Sequence, residues 1–531
     1  MKTPISEQTE TQKLPTSFEY KQQQPDTLKR GQQQTALFRR VHFIGVGGSG
    51  MAAIALVAHR RGICVSGSDL KESEYVQALL REGVSVVFRH DASNVDDPSI
   101  ELVVVSTAIP EDNPELMAAR ARGITVWPRA RMLAYLGEGM ETLAVAGTHG
   151  KTTTTSMLST ALVHLGADPT FLVGGVVTDF ASSAHVGSSS YYVVEADESD
   201  GSFICLNPRL AIITNIEADH LDYFKSIEMI RASFAGFLTK VADDGLVVAC
   251  ADNLDLYELV KASGKPYVTY GKSGLADVRC VVRGVNDYTI VYKDGASQPF
   301  TLGAAPGAHN MLNATAVAAA LDWLGFDRVS VAGALASFAG VHRRFERIGT
   351  AGGVLVVDDY GHHPTEIAAT LQAAAELGRA QVHVLFQPHR YTRTQAFLSE
   401  FACAFDAASS VTLMEIYSAG EAPIPGVNSN ALLEAIRAHN PRAKLRLVSA
   451  RADIVQAMTD AAQPGDLIIT MGAGDVTTFA PQILAALEGF ASGGIAVLEG
   501  LAPEAAELEA AELEAAAPEA AELEAADRKI R

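Results

Sequence analysis

The chain has 531 residues, 48% of them apolar and 20% charged, with 44 glycines. It is too long for a single small binding module and too apolar for a disordered or fibrous chain, and at ~150 residues per domain it asks for about three domains. Its 42 Lys and Arg against 62 Asp and Glu give a net charge of -20, which argues against a nonspecific grip on nucleic-acid phosphates or anionic membrane. Any phosphate in its chemistry must be held by a few local groups.

Residues 1–35 are polar, with the Gln clusters KQQQ and GQQQ and no apolar core after Met1. A disordered tail is expected there, with neither signal peptide nor membrane anchor. No apolar run elsewhere approaches the ~18 residues that span a bilayer. The five cysteines (64, 205, 250, 280 and 403) form no CxxC pair. They read as buried thiols of a reducing cytoplasm, without a disulfide or metal framework.

The first segment, 36–137, opens RRVHFIGVGGSGMAAIALVAHRRG. A strand at 41–44 runs into Gly45, Gly47, Gly48, Ser49 and Gly50, and a helix follows from 51. A second strand ends at Asp69. The GxGxxG spacing gives a tight turn, close backbone approach to a pyrophosphate and close helix packing, and the helix N-terminus then aims unpaired N–H groups at the anion. A glycine turn used only for packing would look the same, and the spacing does not say which nucleotide binds. A further strand lies within 101–110. Strands alternating with helices predict a parallel, doubly wound, Rossmann-like sheet.

The second segment, 138–335, opens TLAVAGTHGKTTTTSMLSTALVHLG. A strand at 143–146 leads through Gly147, Thr148, His149 and Gly150 to Lys151, Thr152 and Thr153 and a helix. This predicts a P-loop ATPase-type domain, in which backbone amides cradle phosphate oxygens, Lys151 reaches the terminal phosphates and Thr152 can ligate Mg2+. The first glycine of GxxxxGK[ST] is replaced by Val145, so the generic pattern alone would miss it. YYVVEADESDGSF ends a strand at Glu195, and RLAIITNIEADHLDYF places His220 just past another. Ligands gather beyond the carboxyl ends of such strands, so Glu195 and His220 are expected near Lys151, where their donor types suit Mg2+ or Mn2+. The run Asp197, Glu198 and Asp200 reads as a solvated or hydrogen-bonded loop. His309, Asn310 and Asn313 open an Ala-rich helix with more polar groups than a cap needs.

The third segment, 336–492, is again Rossmann-like. Arg343 and Arg344 suit bidentate phosphate contacts, or else lie exposed on the surface. Strands ending at Asp358 and Asp359, at the PHRYTRT run and at GAGD put Tyr360, His362, His363, Arg390 and Arg393 at strand ends. Residues 493–531, with their repeated Ala-Ala-Glu-Leu-Glu, read as an acidic low-complexity tail.

Taken in order from about 40 to 485, HFIGVGGSGM, GTHGKTTT, EADESDGSF, TNIEADHLDYF, AHNMLNATA, GVHRRFE, DDYGHHPTEI, FQPHRYTRT and IYSAGEAPI resemble the Mur ligases. The resemblance implies three α/β domains and ATP-dependent amide formation through an acyl phosphate, with L-alanine joined to UDP-N-acetylmuramate in peptidoglycan synthesis. It implies ATP with Mg2+ (or Mn2+), and small-molecule substrates but no nucleic acid or membrane insertion. The chain would be a cytoplasmic monomer or homodimer.

Residue by residue, Gly45 to Gly50, Asp69 and Thr107 would hold the UDP substrate. Gly147 to Thr153 would hold the ATP phosphates, Thr152 with Glu195 one metal ion and His220 a second. His309, Asn310 and Asn313 would meet adenine, Arg344 the terminal phosphate and Asp359 the ribose. Tyr360, His362, Arg390 and Arg393 would grip the muramoyl carboxylate and alanine. Lys151, Glu195, His220, Arg344 and His362 are the expected catalytic set. The rivals are a sister ligase attaching a preformed murein tripeptide in recycling, a nicotinamide-dependent oxidoreductase, and a noncatalytic nucleotide-binding regulator.

Overall fold

The computed structural model describes residues 37–106, 108–199, 201–219 and 221–498. Thr107, Asp200, His220, the expected tail at 1–35 and residues 499–531 lie outside the described residues. The last helix, Phe479–Leu498, runs past the boundary expected at 492.

Three sheets follow one another along the chain. The first has five parallel strands in the spatial order Ser85–Val87, Cys64–Ser68, Arg40–Ile44, Leu102–Val105, Thr125–Pro128. The order reverses beside Arg40–Ile44, so the crevice at that strand's carboxyl end receives the Gly45–Gly50 turn. Its segment LVVV is apolar throughout and VHFI is apolar except for His42, whose buried ring is held by Ser66 and Glu115, as suits strands covered on both faces.

The second sheet has ten strands. Glu141–Ala146 lies between Tyr191–Glu195 and Leu210–Ile213, all parallel. The strands Val278–Val282, Asp287–Val291 and Ser297–Thr301 extend one edge as an antiparallel meander. The parallel pattern expected from the sequence did not include this meander, because its hairpins are set by local turns and not by crossover helices.

Behind Glu141–Ala146 the helix Lys151–His164 is buried from Thr152 to Leu162. A Thr- and Ser-rich helix can be buried this way because its hydroxyls bond their own backbone. Thr155 Oγ1 donates to Lys151 O, Ser156 Oγ to Thr152 O and Ser159 Oγ to Thr155 O, each at 2.8 Å, which leaves no orphaned polar atom on those three.

The third sheet has six strands, with Glu346–Ala351 antiparallel at the edge and Val354–Asp359, Leu467–Met471, Val382–Phe386, Ser410–Leu413 and Lys444–Leu447 parallel in that spatial order. One continuous apolar cluster runs through the first two sheets, from Val41 to Val341. The third sheet has two separate clusters of its own. Cys64 and Cys403 are exposed, contrary to the expectation that every thiol is buried, since neither side chain faces a sheet core.

Candidate active site

The phosphate loop takes its shape from its glycines and from the next strand. Gly147 has φ 131° and Gly150 φ 81°, where a side chain is strained. A Cβ on Gly147 would lie 2.1 Å from Thr214 Oγ1. Thr214 Oγ1 and Asn215 Nδ2 donate to His149 O at 2.6 and 3.1 Å, and His149 N donates to Asn215 Oδ1 at 2.9 Å. Helix Lys151–His164 begins at Gly150 without a side-chain cap, so its first amides face outward unpaired by any side chain.

Lys151 Nζ donates to Gly147 O at 2.8 Å, Thr148 O at 3.2 Å and Glu198 Oε1 at 2.9 Å. Burial works to lower its pKa, but Glu198, Asp197 and Glu195 outweigh burial and raise it, so the ammonium stays charged. Burial pushes Glu198 up to about 7 against the pull of Lys151. Glu198 is 2% exposed, so this member of the acidic run is a buried counter-ion and not a solvated one. Thr152 Oγ1 donates to both oxygens of Glu195, at 3.0 Å each, and Gly174 N holds Glu195 Oε2 at 2.9 Å. The expected metal pair, Thr152 and Glu195, is therefore assembled.

A cavity of ≈ 330 Å³ opens at the loop and is lined by His149, Gly150, Thr153, His309, Asn310, Asn313, Arg344 and Asp359, all expected at an ATP site. Sequence reasoning missed its other polar walls, Thr214, Asn253, Tyr270, Thr365 and Glu366. Burial holds His309 neutral, down at about 4. Asn313 Nδ2 donates to Asn310 Oδ1 at 3.2 Å and Asn310 Nδ2 to Pro306 O at 3.1 Å. Asp359 is raised to about 6 by burial. Its oxygens accept Phe345 N at 2.8 Å and Gly361 N at 2.7 Å, so it shapes the turn as well as lining the cavity.

The third sheet brings its own groups. The Arg343 and Arg344 guanidiniums lie 4.8 and 5.2 Å from the Tyr360 ring centre. Arg343 also donates to Gly472 O at 2.6 Å, while Arg344 keeps its side chain in the cavity. His362 Nδ1 donates to Tyr360 O at 3.1 Å, and burial, with Arg393 adding, lowers His362 to about 3. It is a neutral imidazole. Arg393 Nη2 donates to Asp219 Oδ1 at 3.0 Å, and Arg390 begins helix Tyr391–Ala396 at φ 69°. Neither these two nor Tyr360 and His362 line the ATP-type cavity.

His149, Glu217 and His363 offer ligand atoms within 4.8 Å of one another, the one such group among the described residues. It differs from the expected metal set Thr152, Glu195 and His220. His149 Nδ1 donates to Glu366 Oε1 at 3.2 Å, and its Nε2 lies 3.6 Å from Glu217 Oε2. Burial lowers its pKa, but the two carboxylates raise it to about 9. His363 Nδ1 accepts Thr365 N at 3.3 Å, which leaves the ring's proton on Nε2. The chemistry of this group suits a proton better than a metal.

At the first sheet, Gly47 N, Leu70 N and Lys71 N donate to Asp69 at 2.8, 2.8 and 3.0 Å. Helix Ser49–Arg60 starts at Gly48 without a side-chain cap. A Cβ on Gly50 would lie 2.5 Å from Arg129 Nη1, which places a cation over the turn that the motif did not announce.

Comparison with known proteins decides the family. The Mur ligase family catalytic domain matches residues 40–139, the Mur ligase middle domain 145–321, and the Mur ligase glutamate ligase domain 343–474. The chain belongs to the Mur ligase family. Among curated Mur ligases, the UDP-N-acetylmuramate–L-alanine ligase of Anaeromyxobacter dehalogenans is 46% identical over 461 residues, covering 85% of this chain and all of that one. The enzyme of that name from Pelotomaculum thermopropionicum is 45% identical over 444 residues, covering 82% and 95%. A solved UDP-N-acetylmuramate–alanine ligase from Thermotoga maritima superposes with TM-score 0.72 at 30% identity, covering 85% of this chain and 99% of that one. A murein peptide ligase from Psychrobacter arcticus follows at TM-score 0.64 and 27% identity, with the same coverage. This Mur ligase thus matches its relatives across all three sheets.

Proposed function

We infer that the chain joins L-alanine to the carboxylate of UDP-N-acetylmuramate, consuming ATP to ADP and phosphate, as a step of peptidoglycan precursor synthesis. The observation that carries the reading is the assembly of an uncapped helix N-terminus, the buried Lys151 ammonium and the Thr152–Glu195 pair on the loop whose Gly150 and Thr153 line a cavity that Arg344 also lines. The names of the curated relatives supply the substrate pair.

The residues match the chemistry. A carboxylate is a poor acyl donor, so it must first take the terminal phosphoryl group of ATP as an acyl phosphate before the amine attacks. Lys151 and the loop amides hold the phosphates, and Arg344 meets the charge that spreads over the phosphoryl oxygens. Asn310, Asn313 and neutral His309 form the base side of the cavity, with Asp359 toward the ribose. Mg2+, or Mn2+ in its place, fits the hydroxyl and carboxylate of Thr152 and Glu195, and when bound it neutralises phosphoryl charge. His220 is the proposed ligand of a second ion.

The Gly45–Gly50 turn and Asp69 hold the UDP diphosphate side, with Thr107 as a further proposed contact of that substrate. Tyr360, His362, Arg390 and Arg393 position the muramoyl carboxylate and alanine when the third domain closes. His362, being neutral, contributes an orienting imidazole and not a cation. The enzyme acts in the cytoplasm as a monomer or homodimer, and light scattering on the eluted protein distinguishes these two. Among the described residues no helix is long and apolar enough to cross a membrane.

Phosphate release is the test, with ATP, Mg2+ and UDP-N-acetylmuramate supplied and the amine varied among L-alanine, glycine, L-serine and a murein tripeptide. The reading expects release that depends on L-alanine. Release independent of any amine, or faster with the tripeptide, would overturn it.

A further inference from the structure

We propose that His149, on the phosphate loop, is a positioning residue that latches the third domain closed by bridging Glu217 to Glu366. The need for a latch comes from the cores. The first two domains share one apolar cluster, whereas the third has its own, so the closed arrangement is not sealed by a shared apolar core. The side-chain hydrogen bonds and ring contacts across the seam join polar or aromatic groups, beside a close approach of Ala373 to Gly307. His149 Nδ1 meets Glu366 at 3.2 Å, Thr365 Oγ1 meets Glu217 Oε2 at 3.1 Å, Arg393 meets Asp219 at 3.0 Å, and the His149 and His363 rings stand 4.6 Å apart. Such contacts can form and break with the catalytic cycle.

His149 is the one of these that sits on the phosphate loop itself. Its partner Glu366 lies at the third position of helix Pro364–Glu376 and accepts His362 N at 3.2 Å and His363 N at 3.3 Å as part of a capping box. The same carboxylate lies 3.9 Å from Arg344 Nη1 and 3.6 Å from His362 Nδ1. Fixing Glu366 against His149 therefore fixes the turn that carries Tyr360 and His362, and it aims Arg344. Phosphate-loop geometry reaches the substrate side through one carboxylate.

The groups facing His149 are Glu217, Glu366 and the neutral His363, with Arg344 and His362 behind Glu366. Without a proton on His149, the partly exposed Glu217 and the more buried Glu366 would face each other with only Arg344, 3.9 Å from Glu366, and the Thr365 hydroxyl on Glu217 to offset them, which is costly. The folded imidazole titrates at about 9, above its usual 6.5. Its contribution to closure is thus complete below the ordinary imidazole value and is lost as pH rises through about 9.

Closure can be read without turnover, by small-angle scattering and by hydrogen exchange of the Pro364–Glu376 amides, on the full chain at pH 7.5 and 9.5. Failure of the latch would leave the assignment of the loop to ATP untouched, and failure of that assignment shows separately as unchanged ATP affinity in Lys151→Ala. The wild type is expected closed at the lower pH and open at the higher. His149→Gln is expected open at both, with the KM for UDP-N-acetylmuramate raised about tenfold, the scale of a typical coupling between sites, in an assay run at saturating ATP because His149 also lines the ATP cavity. Glu366→Gln keeps an acceptor for the cap and is expected to show the same loss, which guards against a folding artefact. A pH step in closure that persists in His149→Gln would overturn the proposal. So would an unchanged KM for UDP-N-acetylmuramate at saturating ATP, or stoichiometric Zn2+ binding to the wild type that His363→Gln abolishes, since the last would mean a metal and not a proton holds the seam.

Discussion

The glycine turn of the first sheet and the phosphate loop of the second are built alike. Each runs strand, glycines, helix, and each helix starts without a side-chain cap. They differ in what the side chains add. At the first turn Asp69 takes the Gly47 amide for itself and ties down Leu70 and Lys71, and the nearest cation is Arg129. At the second, a buried lysine, its glutamate and a hydroxyl–carboxylate pair crowd the first helical turn. On the proposed reading, the turn's amides and Arg129, which pairs with Asp197 at 3.4 Å, would suffice to hold a diphosphate that does not react. A phosphoryl group that changes hands needs fixed charge placed before the reaction starts. The shared backbone motif is a binding geometry, and the chemistry lies in the side chains that neighbouring strands deliver to it.

The largest expected effect breaks the second region. Lys151→Ala should lower turnover by at least about 10³-fold, the scale seen when a charged group on a transferring phosphoryl is removed, while far-ultraviolet circular dichroism stays unchanged. Retention of near-normal L-alanine-dependent phosphate release would erase the distinction between the two turns. The first region has its own buried charge, of a different kind. Glu115 is fully buried and accepts His42 Nε2, His90 Nδ1 and Ser68 Oγ at 2.8, 2.6 and 2.8 Å. Burial pushes its pKa up, but these donors outweigh burial and hold it below the usual carboxylate range. The stability it gives is present above that range and is lost as pH falls through the lowered value. Glu115→Leu removes one side of a buried pair and should cost about 3–5 kcal/mol in chemical denaturation. Denaturation curves that coincide with wild type would show that this cluster, unlike Lys151–Glu198, is dispensable.

How much of this was legible in the sequence follows chain distance. The strand-turn-helix of the phosphate loop spans a dozen residues, so the local pattern placed Gly147 to Thr153 and the helix after it. Strand-end acids such as Glu195 and Asp359 were also legible, because a strand's last residue faces the crevice whatever its neighbours are. Glu198 was not. An acid in a charged loop looks solvated until the fold sets it against a lysine 47 residues earlier. Glu366 read as an ordinary first-turn helix acid, and only a contact spanning 217 positions joins it to His149. Arg129 had no motif at all, since it opens helix Arg129–Leu136 after the last strand of the first sheet, and only the packing of that helix against Ser49–Arg60 brings it to Gly50. What sequence patterns miss are the partners that tertiary closure supplies.

Two smaller effects sharpen the comparison at the first turn. Arg129→Ala should raise the KM for UDP-N-acetylmuramate about tenfold with kcat nearly unchanged, the size of one charge-assisted contact. Gly50→Ala asks the same question more gently. The added methyl would lie 2.5 Å from Arg129 Nη1, yet that atom is the far end of a flexible side chain, so the guanidinium swings aside while the backbone holds. If Arg129 serves the diphosphate, the KM should rise by about threefold, since the displaced cation keeps part of its attraction at longer range, and thermal stability should be unchanged. The effect should vanish in the Arg129→Ala background, because the clash is then gone. An equal rise in that background would mean that Gly50 is there for close backbone approach to the diphosphate itself, and the first turn would then work through its amides alone.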